Sequence, residues 1–268
     1  MTECTQERFG FAEHFSRSVV AAFEGDRIRS DGGALLLRET EQRLGIVSRL
    51  AGCFGDLRDA SRVEHSVEEM LRQRLFSLAL GYEDLNDHEE LRKDPMLRLM
   101  AGKKDQDKDL AGKSTLNRLE WGTGTASRYK RINFWREAVD ELLPDLFVES
   151  FGKQAPEELV LDLDATDLPL HGGQEGRFFH GYYGPYCYLP LYIMSGNQVL
   201  RARLRPANQD ASAGSWKELT GWWRACGRRG RKCGSCCGPT AVSAGKACCC
   251  GASRTKWTTC SGWPATRR

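Results

Sequence analysis

The chain has 268 residues, with 39 lysines and arginines against 36 acidic residues, 11 cysteines and a formal net charge of +3. That charge is the sum of two unlike parts: residues 1–220 hold every acid and 29 of the basic residues, a charge of −7, while residues 221–268 carry the other 10 basic residues and no acid. The positive total is therefore no argument for nucleic-acid binding, and no apolar run approaches the length of a membrane span, which predicts a soluble, intracellular protein with a proper core in its first 220 or so residues.

From residue 30 to about 144 the pattern is helical. Asp31-Gly-Gly opens a stretch over 34–44 of good helix formers that ends at Gly45, a C-cap by type and place. Ser66-Val-Glu-Glu69 reads as a capping box, with Val67, Leu71, Leu75 and Leu78 recurring behind it at helical spacing until Gly81. The acid-rich segment 82–91 follows, and Asp94-Pro95 marks a further break. Residues 103–113 read as a charged linker, and 114–120 and 129–143 as helices, with Arg128, Lys130, Arg131 and Arg136 clustered near the start of the second. Gly112-Lys-Ser-Thr115 matches the end of a phosphate-binding loop, but Asp107 stands where that loop needs its first glycine and no apolar strand precedes it, so a helix start is the better reading.

At about Glu158 the period changes to alternation. Leu159, Leu161 and Leu163 fall on one side of a strand, and Val160, Asp162 and Asp164 on the other. Strand-like runs around 178–193 and 199–204 follow, separated by the turn Ser195-Gly-Asn197, and 208–216 approaches a helix. Asp162 and Asp164 would lie roughly 7 Å apart on one face. Such a pair fits either a hard divalent cation such as Mg2+ held with further carboxylates, or an edge strand whose acids face solvent. His171, His180 and Cys187 fit no common transition-metal spacing. Tyr182, Tyr183, Tyr186 and Tyr188 suit core packing better than base stacking. Arg201, Arg203 and Arg205 share one strand face, where they fit phosphate contact or a solvated surface.

Residues 221–268 hold 8 of the 11 cysteines and 4 of the 7 tryptophans, and Val242 is their only residue from Leu, Ile, Val, Met, Phe and Tyr. Such a segment builds no core and predicts a disordered tail. The genetic code offers a reason. Read one nucleotide earlier, every Cys codon (TGY) and the Trp codon (TGG) becomes NTG, which encodes Leu, Val or Met. The run 233–243 can then be re-read as VRIVLRADGGF, a buried strand and an acidic turn with an aspartate in the codon underlying Thr240. The tail thus reads as out of frame. Cys233, Cys236, Cys248 and Cys250 offer a zinc module as the alternative, although adjacent cysteines with nothing packed behind them suit it poorly.

Three segments in order, Gly81-Tyr-Glu-Asp-Leu-Asn-Asp-His88, Leu161-Asp-Leu-Asp-Ala-Thr-Asp167 and the run 180–191 (HGYYGPYCYLPL), continued by Leu204-Arg-Pro-Ala-Asn208, resemble the DDE transposases of bacterial insertion sequences. The resemblance covers nearly all of residues 9–220. It implies an α+β fold: a helical, DNA-binding N-terminal region over 1–150, an incomplete RNase H-like catalytic domain with a mixed sheet over 151–220, and the disordered out-of-frame tail over 221–268. It implies metal-dependent DNA cleavage and strand transfer at a site of Asp, Asp and Glu holding two Mg2+ ions. By position Asp164 is the first catalytic and metal-binding acid, Asp162 the runner-up and Asp167 a lesser candidate. The second Asp would fall on the codon of Thr240 and the Glu beyond Arg268, so the fragment as translated is expected to be inactive. DNA contacts fall to Arg128, Lys130, Arg131, Arg201, Arg203 and Arg205. The implied partners are the element's terminal inverted repeats, target DNA and further copies of the chain, with no membrane, in the bacterial cytoplasm at the nucleoid. A non-catalytic DNA-binding inhibitor of transposition is the competing function.

Overall fold

The computed structural model describes residues 8–22, 31–121, 131–152, 158–229 and 247–250. The chain divides into two compact units, Met1–Arg136 and Glu137–Arg268, each with buried apolar clusters of its own.

The first unit opens with an antiparallel hairpin, β1 (Arg8–His14) and β2 (Arg17–Ala22), which precedes the helical pattern read from the sequence. Helix α1 (Ala34–Leu44) ends at Gly45, whose φ of 62° suits glycine and whose N–H donates to the Glu41 carbonyl at 2.7 Å, as the sequence predicts. Helix α2 (Ile46–Ala51) and the short strand β3 (Phe54–Asp56) follow. Helix α3 (Val67–Ala79) is capped by Ser66, whose Oγ accepts the Glu69 N–H at 3.1 Å. The capping box closes only by half, because the Glu69 carboxylate turns to His65 Nδ1 and to Lys103 Nζ, both at 2.8 Å. Met70, Leu71, Gln73 and Phe76 form its buried side, whereas Leu78 is 42% exposed.

Segment 81–88 braces this unit. Gly81 takes a φ of 92°, Asp84 Oδ1 accepts the Asn86 N–H at 2.9 Å, and His88 begins the single turn α4 (His88–Leu91) fully buried. Arg74 donates to the carbonyls of Tyr82 and Glu83 at 3.2 and 2.7 Å. Asp94-Pro95 is a helix start and not only a break: Asp94 Oδ1 accepts the N–H groups of Met96 and Leu97, and Pro95 occupies the first position of α5 (Pro95–Ala101). Helix α6 (Lys113–Glu120) begins within Gly112-Lys-Ser-Thr115, as the helix-start reading has it, but its N-cap is Gly112 and not the serine, and the Lys113 ammonium donates to Asn86 Oδ1 at 3.1 Å. The helix expected over 129–143 begins late. Its first part is strand β4 (Ile132–Phe134), antiparallel to β3, where Ile132 is buried and Phe134 packs on Phe54 with ring centroids 5.2 Å apart. Burial of a β-branched and an aromatic residue on a pleated pair outweighs the helical composition around them.

Helix α7 (Arg136–Ser150) leads into the second unit and continues through Pro144. Proline offers no N–H to the carbonyl four residues back, and that Asp140 carbonyl accepts instead from Arg201 Nη1 at 3.4 Å. Next come β5 (Glu158–Ala165), β6 (Leu168–Pro169), β7 (Phe178–Phe179), β8 (Tyr186–Tyr188), β9 (Leu191–Ser195), β10 (Gln198–Arg203), α8 (Ser215–Arg229) and β11 (Ala247–Cys250). One sheet has the order β10-β9-β5-β11 and a smaller one β6-β8-β7. Phe147, Leu161, Ile193, Leu200, Leu219 and Trp222 form the core between the larger sheet and helices α7 and α8. The fold is α+β, and all described strand pairs are antiparallel; the parallel pair that a mixed sheet requires is not among them.

No break in structure falls near residue 220, where the sequence reading places the loss of coherence. Helix α8 runs through Gly221 to Arg229, with Trp222 and Ala225 buried at 1% and 5% exposure. Leu219, Trp222 and Ala225 recur every third residue on the core side, so Trp222 belongs to the fold even though it shares the tail's composition. Residues 230–246 and 251–268 lie outside the described residues, and with them Cys233 and Cys236 of the zinc alternative and the remaining part of the predicted disordered tail.

Candidate active site

Strand β5 shows the alternation read from the sequence. Leu161 is 1% exposed and Leu159 and Leu163 pack against the same core, whereas Val160 is 38% exposed and Asp164 is exposed. Asp162 is half-buried, opposite Met194 of β9, and Asp164 lies opposite Tyr192. Both acids therefore stand on the sheet face away from α7 and α8. Asp162 Oδ1 is buried without a hydrogen-bond partner. A buried carboxylate oxygen in that state is costly unless a donor or cation meets it.

The end of β5 is fixed by its neighbours. The Tyr183 hydroxyl donates to the Ala165 carbonyl at 3.1 Å, and the Thr166 N–H donates to the Pro190 carbonyl at 3.3 Å. Burial raises the Tyr183 pKa above the ordinary phenol value, and the charges of Asp167 and Asp164 raise it further. Cys187, fully buried, is likewise pushed up by burial and then by Asp167. The tyrosine and the thiol are thus held neutral beside a group of carboxylates. His171 is exposed and His180 half-buried. Among the described residues no three His, Cys, Asp or Glu side chains form a group that would hold a metal ion. For Mg2+, Asp162 and Asp164 supply part of an oxygen donor set and no more, so no step through a metal follows from these residues alone.

The arginines fall elsewhere than a DNA surface would have them. Arg201, Arg203 and Arg205 are 6%, 9% and 9% exposed. Arg201 and Arg203 do lie on one side, but it is the side covered by helices, because a bulge between Val199 and Arg201 turns Leu200 and Arg201 together toward the core, while Arg205 follows the end of β10. Arg201 meets Asp140 at 3.1 Å and Glu218 at 3.2 Å, and Arg203 meets Glu218 at 2.7 Å and pairs bidentately with Asp140. Arg205 donates to the carbonyls of Leu189 at 2.9 Å, Ala211 at 3.1 Å and Ala213. Burial lowers the pKa of Arg201, opposed by Asp140. These guanidiniums close the protein's own core. Asp140 and Glu218 are the partners that the sequence reading missed; both sit on helical segments whose inward faces show only once the helices dock. Arg131 is exposed, and its carbonyl accepts the Leu57 N–H at 2.7 Å. Arg128 and Lys130 lie outside the described residues.

Among the described residues no helix is long and apolar enough to cross a membrane. No curated protein and no solved structure matches the chain. A family model does match, that of transposase DDE domain group 1 over residues 11–229, which takes in both units, the acidic strand β5 and helix α8 to its end. Membership implies DNA binding, and the match ends at the residue where α8 ends, beyond the point at which composition alone suggested a break. With its acids on the face of β5 away from α7 and α8 and its match spanning residues 11–229, the protein belongs to the transposase DDE domain group 1 family.

Proposed function

We propose that the chain is part of an insertion-sequence transposase, with a DNA-binding region over about 1–150 and the start of an RNase H-like catalytic domain at β5. The observation that supports this reading best is the placement of Asp162 and Asp164 on the helix-free face of β5, inside the family match, with one buried oxygen lacking a partner. Asp164 is the first catalytic acid and Asp162 its neighbour in metal binding. When bound, Mg2+ would supply activation of the attacking oxygen and stabilisation of the leaving one. On this reading translation leaves the original frame after α8, so that Thr240 stands where the neighbouring frame can encode a second aspartate, and residues 221–268 contain no acid at all. Within residues 221–268 the translated frame supplies neither a second Asp nor a Glu for the set, so cleavage is not expected of these residues alone. The chain's DNA contacts fall to Arg128, Lys130 and exposed Arg131.

Two experiments test this. Sequencing the gene across the codons for Arg229 to Cys233 should show a neighbouring frame that stays open through an Asp-containing turn to a later Glu; a single open frame with unambiguous codons would end the frameshift account. The frame-restored protein should then nick terminal-repeat DNA with Mg2+, and Asp164→Ala should abolish that nicking.

A second reading is a non-catalytic inhibitor that occupies the element's terminal repeats. The separate apolar clusters of the first unit favour it, since that unit has a core without the catalytic region. Gel shifts of the full chain with terminal-repeat DNA against random duplex, repeated at rising salt, would show sequence preference and a log-linear salt slope. Equal binding to both duplexes would exclude this role.

A further inference from the structure

The small sheet β6-β8-β7 has two unlike faces. Its inner face holds Cys187, fully buried with Leu189, Ala165 and Ala207. On the outer face the register pairs Leu168 with Tyr188 and Phe179 with Tyr186, and strand alternation sets Tyr186 and Tyr188 on the same side. Leu168, Phe179 and Tyr186 are 46%, 57% and 52% exposed. The rings of Phe179 and Tyr186 meet edge to face at 5.8 Å, and the Arg177 guanidinium lies 4.9 Å from the Tyr186 ring centre. Tyr182, in the turn before β8, is 83% exposed. Strand β6 begins one residue after Asp167, so this face adjoins the acidic end of β5.

Three large exposed side chains on one face of a short sheet mark a surface that meets something. Its composition selects the occupant. Beside Leu168 the groups are aromatic rings with a planar cation laid on one of them, next to the acidic end of β5 in a chain whose family binds DNA. Rings offer π faces to bases of any sequence, and a guanidinium adds cation–π contact and a charge for the adjacent phosphate. We propose that this outer face, centred on Phe179 and Tyr186 with Arg177, is a stacking platform for unpaired bases of a DNA strand as it leaves the duplex beside the β5 acids. The proposal rests on the DNA-binding reading above and adds the form of DNA that this face takes.

The test uses the full chain and three labelled probes in fluorescence anisotropy: an oligo-dT strand, an abasic strand of the same length and a terminal-repeat duplex. Oligo-dT should bind about tenfold more tightly than the abasic strand, and the pair Phe179→Ala with Tyr186→Ala should remove about that factor for oligo-dT while leaving duplex binding unchanged. The conservative pair Phe179→Tyr with Tyr186→Phe should keep it. In the unaltered protein, photo-crosslinking with 5-iododeoxyuridine in the oligo-dT strand should map to residues 177–188. Equal affinity for abasic and oligo-dT strands, or crosslinks elsewhere, would overturn the platform. If the duplex still binds in that case the DNA-binding reading stands alone, and if no probe binds both fall. A dimer that the Ala pair dissociates, with oligo-dT affinity unaltered, would overturn the platform in favour of contact between copies of the chain.

Discussion

Single residues set the strongest local constraints, and these come from buried polar groups. Asp140 faces two guanidiniums, Arg201 and Arg203, that are almost fully enclosed. Removing one partner of a buried ion pair leaves an uncompensated charge, so Asp140→Ala should destabilise the protein by about 3–5 kcal/mol in denaturant unfolding, far more than loss of a surface pair. A change under about 1 kcal/mol would mean that the guanidiniums reach water. His88 poses the opposite problem. Gln73 donates to its Nδ1 at 3.0 Å, its Nε2 is buried without a partner, and burial, followed by the charge of Arg74, lowers its pKa below 6.5, against smaller opposing effects of Asp87 and Glu120. A histidine whose folded pKa is depressed takes up its proton in the unfolded chain first. Its contribution is therefore fully present above about pH 6.5 and is lost as pH falls from there toward the folded pKa. Unfolding midpoints between about pH 7.5 and about pH 5 should fall more steeply for the natural protein than for His88→Gln. Identical slopes would place the proton elsewhere. The acids of β5 were legible at this scale because alternation alone assigns faces. The arginines of β10 were misplaced because alternation says which residues share a face and not which face a helix will cover.

At the scale of elements, legibility followed the strength of local signals. Helices α1 and α3 carry their own caps, β5 carries alternation, and β9 and β10 are joined by a glycine turn, so these could be read from their own residues, whereas the single run read over 178–193 divides into β7, β8 and the start of β9. Strand β4 carries no such signal, since its three residues become a strand by pairing with β3, more than seventy positions earlier in the chain. Helix α8 was cut short because composition was averaged over residues 221–268, whereas its core side is set by Leu219, Trp222 and Ala225. Trp222→Ala should cost about 3–5 kcal/mol, the range for a large buried aromatic, and a value near zero would detach the end of α8 from the core. Gly221 in the same helix is a sharper case. Glycine to alanine inside a helix usually gains about 1 kcal/mol. Here a Cβ would stand 2.6 Å from Arg201 Nη2, a group held between Asp140 and Glu218. Gly221→Ala should therefore lose stability, because the guanidinium cannot yield without leaving its carboxylates; a gain would show that Arg201 has room to move.

For the whole molecule the decisive asymmetry lies in the second unit, where one face of the sheet is buried by α7 and α8 and the other carries no residue of that core. On that second face Val160 and Val199 are 38% and 39% exposed, and Tyr192 and Met194 are half-buried around Asp162 and Asp164. A sheet in a domain built on both its faces needs apolar cover on each, and the neighbouring frame proposed above would supply apolar strands where the translated tail has cysteine, glycine and arginine. If a shifted frame is what separates this chain from a catalytic domain, then cover and catalysis are lost together, because the one shift removes the second Asp at the codon of Thr240, the downstream Glu and the apolar residues that would pack around them. The chain as translated should bind a hydrophobic dye such as anilinonaphthalene sulfonate and associate at rising concentration, while the frame-restored protein should show neither effect and should gain Mg2+-dependent nicking. Both properties should change with the one correction. Recovery of nicking without loss of dye binding would separate them and place the exposed surface elsewhere than on the face of β5.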